Sequence, residues 1–74
     1  MSLEEQDLKQ SILDNKQYIA ECEAAIAENR RQIQEHARRM EPYDANELQI
    51  DTLQANIEEA KANIDLAEAR LAAL

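Results

Sequence analysis

An isoleucine returns every seven residues along much of this chain. Ile12, Ile19, Ile26 and Ile33, continued by Met40, form one such row, and Ile50, Ile57, Ile64 and Leu71 form a second. Three residues after each member of the second row stand Leu53, Ala60, Ala67 and Leu74. This is the a/d stripe of a coiled coil, in which an α-helix turns an apolar seam toward a partner helix. With Ile12 at position a, the d row of the first half reads Leu8, Asn15, Cys22, Asn29 and His36. The fold class expected is all-α.

The two rows are separated by MEPYDANE, residues 40–47, which holds the only proline of a chain without glycine. Pro42 disfavours α conformation at Glu41 and has no N–H to donate to a helical ladder. Ser2 with Glu5, and Asp44 with Glu47, each have the spacing of an N-terminal capping box. Arg38 and Arg39 precede the break, where cations suit the negative end of a helix dipole. These signals predict one domain of two helices, about 3–40 and 44–73, joined by a turn at 41–44 into an antiparallel, coiled-coil-like hairpin. A single kinked helix is the alternative; it would leave both isoleucine rows to an intermolecular coil.

Folding back about the turn sets Ile33 near Ile50 and Leu53, and Ile26 near Ile57 and Ala60. Ile19 then meets Ile64 and Ala67, and Ile12 meets Leu71 and Leu74. Large residues thus face the small d-row residues of the second helix, which permits close approach and a register set by volume. At ~1.5 Å per residue the hairpin is on the order of 50–60 Å long.

Such a hairpin has little interior. The chain is 74 residues long, with thirteen alanines and neither phenylalanine nor tryptophan. Alanine buries little apolar area, so two helices of this material are close to marginal alone. Self-association is the physical expectation, as a homodimer forming a four-helix assembly. A second heptad row on helix two, Leu48, Ala55, Ala62 and Ala69, flanked by Thr52, Leu66 and Ala73, supplies the surface. Leu13, Ala20 and Ala27 are its lesser counterpart on helix one. The competing reading is that these alanines only sustain helix propensity on a solvent face. The candidate dimer face is Tyr18, Leu48, Ala55, Ala62, Leu66 and Ala69.

Few residues suggest chemistry. Asn15, Asn29 and His36 interrupt the d row, where polar side chains fix register or oligomer state. His36 has no second histidine or cysteine cluster to make a metal site. Cys22, the only cysteine, lies roughly 21 Å along the helix from His36 and reads as a small seam hydrophobe. Carboxylates are plentiful, but a narrow hairpin offers no shelter to separate the pKa values of an acid/base pair. No glycine-rich phosphate loop is available. Neither an enzyme nor a cofactor or metal is expected.

The formal charge is −8, which opposes broad adhesion to nucleic acid or anionic lipid. No run approaches the ~18 apolar residues of a membrane span, and the N-terminus has no basic-then-apolar secretion pattern. A lone thiol suits a reducing compartment, so the expected location is the cytoplasm. Arg30, Arg31, Arg38 and Arg39 concentrate positive charge near the turn. They are expected either to pair with Glu47 and Asp51 across the hairpin or to meet an acidic partner. Tyr43 sits in the turn beside Arg38 and Arg39, both types enriched among interface hot spots. At the other end the first ten residues overhang helix two, leaving Leu3 and Leu8 without an evident intrachain mate. Tyr43, Arg38, Arg39, Leu3 and Leu8 are the candidate partner-binding residues.

The early stretch LKQSILDNKQYIAECEAAIAENRR, the short break and the Ala/Ile-rich second helix together resemble the small two-helix anti-activator proteins of Pseudomonas phages. That resemblance implies a hairpin that dimerises and binds host proteins, including a LuxR-type quorum-sensing regulator and a type IV pilus assembly ATPase. It implies no particular binding residue here. The architecture is also similar to a plasmid RNA-binding modulator built as a dimer of hairpins, but a comparable basic face is lacking. The function expected is therefore inhibition of a host protein by a phage or mobile-element product that moves within the host cytoplasm. A scaffold or chaperone role in assembly, and acidic mimicry of DNA, are the alternatives.

Overall fold

The computed structural model describes residues 2–74 as two helices, α1 from Leu3 to Arg38 and α2 from Asp44 to Ala73. They lie antiparallel along one another in a rod of 56 × 15 × 12 Å. The hairpin is formed and the single kinked helix is not.

α1 starts where its sequence says. The Ser2 hydroxyl accepts a hydrogen bond from the Glu5 N–H at 3.1 Å, satisfying one orphan donor of the first turn, a contribution of about 1 kcal/mol. Glu4 and Glu5 face the positive end of the dipole. The other terminus is closed by the backbone alone. Met40 N–H donates to the Ala37 carbonyl at 3.1 Å and Glu41 N–H to the His36 carbonyl at 2.8 Å. Those two bonds, with Met40 left-handed at φ 56°, make a Schellman motif. Glycine ordinarily takes the left-handed position; here methionine does, and Pro42 follows.

Two sequence expectations are corrected at this turn. α1 ends at Arg38, so Met40 is not the last member of the isoleucine row; it is 94% exposed. Its backbone makes the reversal that Pro42 enforces, which turns its side chain off the seam. Nor does Asp44 cap α2. Tyr43 occupies that position without a side-chain cap, and its carbonyl accepts from the N–H groups of Asn46 and Glu47. Asp44 and Glu47 stand inside the first turn, where they complement the dipole instead.

The seam otherwise follows the heptads except at its open end, where Leu74, expected on the d row against Ile12, lies past the end of α2 and is 61% exposed. Cys22, Ile26 and Ile57 form the buried cluster, with Ile19, Ile50 and Leu53 packed against it. Ala60 and Ala67 are buried on the d row of α2, small enough to let the helices close over them. Toward both ends Ile12, Ile33, Ile64 and Leu71 are half-buried. Among the described residues no side chain is fully sequestered, which is what a two-helix core allows.

Polar seam residues are tied in differently. Asn29 is 6% exposed; its Nδ2 donates to the Ala25 carbonyl at 2.9 Å, and its Oδ1 accepts from Asn46 Nδ2 at 2.9 Å. Asn46 Nδ2 also donates to Gln32 Oε1 at 2.8 Å. This network joins the first turn of α2 to residues six and nine positions before the end of α1 and fixes one register. Asn15 instead donates back to Ser11 within α1.

Candidate functional site

The candidate partner-binding residues fall at opposite ends of the rod. At the turn, Tyr43 is half-buried while Arg38 and Arg39 are exposed. At the open end Leu3 is 79% exposed. Leu8 is not unmated, contrary to the sequence expectation: it lines a shallow groove with Ala67, Leu66 and Arg70 of α2. The overhang is shorter than the sequence suggested because the d row stays in contact as far as Leu8. The five residues therefore form two tips rather than one site.

The arginines do not pair across the hairpin with Glu47 or Asp51. Arg31 binds Glu28 at 2.7 Å and Glu35 at 3.1 Å, and Arg39 binds Glu35 at 3.0 Å and Glu41 at 3.9 Å. Carboxylates three and four residues away on the same helix are nearer than those on the other helix. Arg31 holds the Glu28 carboxyl below the usual glutamate range through their side-chain hydrogen bond, and its own guanidinium is raised by Glu28 and Glu35. Arg30 and Arg38 take part in no ion pair among the described residues. His36 lies beneath the turn with its Nδ1 buried, 3.8 Å from Glu41 Oε1 and without a hydrogen-bond partner.

The flanks carry the rest. Tyr18 is 42% exposed and lies over an open polar groove of about 250 Å³ lined by Asn15, Asn56, Glu59 and Asn63. Its phenol is raised above the ordinary value, first by its side-chain interaction with Cys22 and then by desolvation. Leu66 shares this flank through the neighbouring groove with Ser11 and Asn63. Leu48, Ala55, Ala62 and Ala69 are all exposed, each one residue before Gln49, Asn56, Asn63 or Arg70 and so about 100° round α2 from that row. Leu13 and Ala20 follow Ser11 and Tyr18 by two residues, about 200° round α1. Neither apolar row therefore lies on the flank that carries Tyr18, Asn56 and Asn63.

Sequence reasoning missed Asn46 and Gln32. Asn46 was within reach, since it lies seven residues before Leu53 on the d row. The grooves lined by Asn56 and Asn63 follow from the position beside that seam. Among the described residues no group of three or more histidine, cysteine, aspartate or glutamate side chains could hold a metal ion, and no helix is long and apolar enough to cross a membrane.

Fold and surfaces together define an all-α helical hairpin of coiled-coil type. No protein-family model, curated protein or solved structure matches the chain.

Proposed function

We propose that this chain is a non-enzymatic binding protein of a phage or mobile element that inhibits a host protein, with a second copy of itself as its other partner. The observation that carries this reading is the outward placement of large side chains at the tips. Leu3 is 79% and Met40 94% exposed, and among the described residues Arg38 beside the turn takes part in no ion pair. These side chains leave both tips of the rod free to contact a partner, and the grooves between the helices are open rather than enclosing. The resemblance to phage anti-activators supports a LuxR-type regulator or a pilus assembly ATPase as target, acting in the host cytoplasm.

The test is direct mixing of the purified hairpin with each of those two proteins, read by complex formation and, for the regulator, by release from its DNA. Arg38→Glu and Leu3→Glu should each weaken a true complex tenfold or more without loss of helicity. No complex with either protein, alongside one with a co-encoded structural protein, would favour the assembly role instead.

A further inference from the structure

The two halves of the rod are not held together alike. Toward the turn, Ile19, Ile50 and Leu53 pack on the buried cluster of Cys22, Ile26 and Ile57. Asn46 adds hydrogen bonds across the helices to Asn29 and Gln32 at 2.9 and 2.8 Å. Toward the open end the seam thins. No residue of α1 before Cys22 is buried, and beyond Ala60 the buried residue of α2 is another alanine, Ala67. Leu8, Ile12, Ile64 and Leu71 are only half-buried.

The change comes at Asn15, one heptad outward from Cys22 on the d row. An amide placed in a seam loses hydration without adding apolar contact. Asn15 does not recover that loss from α2; its Nδ2 donates back to the Ser11 carbonyl at 2.8 Å. Two grooves of about 250 and 220 Å³ open beside it, both lined by Asn15 and Asn63, with Ala60 in one and Ala67 in the other. Among the described residues no hydrogen bond or ion pair joins α1 before Tyr18 to α2 after Ala60.

We propose that the hairpin opens in two stages, residues 3–15 and 63–73 parting as one unit at Asn15 while the turn end stays closed. Once apart, each segment is too short to keep its helicity in water, so parting and unwinding occur together. The parting uncovers Ile12, Ile64 and Leu71. It leaves the Asn29–Asn46 bond intact, so the end recloses in the same register. Neither a partner nor a second copy is needed; the device is built into the seam.

Amide hydrogen exchange of the folded, unaltered chain tests this residue by residue, each rate taken relative to its unstructured value. Amides of residues 10–15 and 63–70 should exchange about tenfold faster, or more, than those of residues 22–29 and 50–60. The change should fall as a step between Asn15 and Cys22. Added urea should accelerate the turn-end amides steeply and the open-end amides weakly, because the smaller opening exposes less surface. Asn15→Leu fills the gap left between Ala60 and Ala67. It should bring the open-end amides to within about threefold of the turn end and abolish the step. Three outcomes overturn the proposal: one common rate for both ends, a smooth decline toward the tips as in ordinary fraying, or a step that persists in Asn15→Leu.

Discussion

Met40 shows how a single residue can hold a turn at a cost. Its φ of 56° is a region where a β-carbon crowds the following carbonyl, a penalty of roughly 1–2 kcal/mol for a residue other than glycine. Its side chain is almost wholly exposed and returns little by packing. Met40→Gly should stabilise the hairpin by about 0.5–1 kcal/mol, less than the full penalty because glycine also enlarges the unfolded ensemble. Urea unfolding measures it directly; a destabilised variant would mean that the methionine side chain contributes packing after all. The turn's location was legible in Pro42 and in the lack of glycine, but its geometry was not. Sequence spacing suggests an Asp44 cap, whereas the Schellman bonds come from backbone groups that any residue carries. Asn46 makes the complementary point. It is bound to Asn29 across the helices, and Asn46→Ala should cost about 1–2 kcal/mol by leaving Asn29 Oδ1 buried without its partner. The joint replacement Asn29→Leu with Asn46→Leu should recover that loss and admit a second register, seen as doubled amide resonances in NMR spectra.

Between residue and molecule stand the helices, and here the heptad pattern determined almost everything. The pairing of Ile26 with Ile57, the burial of Cys22 and the small d row of α2 all follow from a period of seven and from side-chain volume. What could not be read was which charges pair, because α1 offers each arginine carboxylates on its own helix as well as across the hairpin. The structure resolves that choice in favour of α1, where Arg31 binds Glu28 and Glu35. The Glu28 carboxyl is held below its ordinary value, so its contribution to stability is present above the unfolded glutamate pKa of about 4.3. It is lost as pH falls through the lower folded value. Melting temperatures of the unaltered chain and of Glu28→Gln should therefore differ by a constant amount above about pH 5 and converge below about pH 4. A gap that widens on acidification would place the pairing energy elsewhere. Both side chains are exposed, so the gap itself is small.

At the scale of the whole rod the net charge decides between two electrostatic tendencies that oppose each other. α1 carries eight acidic and five basic side chains, −3 in all, and α2 seven acidic and two basic, −5. Every ion pair among the described residues lies within one helix or at the turn, so no close ion pair between the helices offsets their like net charge. The Debye length is about 30 Å at 0.01 M salt and about 8 Å at 0.15 M. At low salt repulsion therefore reaches over half of the 56 Å rod, while at 0.15 M it spans little more than one helical turn. Ion pairs at 3–4 Å are screened far less by the same change. Salt should therefore raise the melting temperature, by roughly 4–8 °C for a gain of about 1 kcal/mol in a domain of this size. The measurement belongs at several chain concentrations, so that any association between copies shows as a concentration dependence of the melting temperature and is separated from the salt effect. A melting temperature that falls with salt would mean that the intrahelical pairs outweigh the repulsion between α1 and α2. The acidic surface would then cost the fold nothing, and its excess of aspartate and glutamate on α2 would need a cause outside stability.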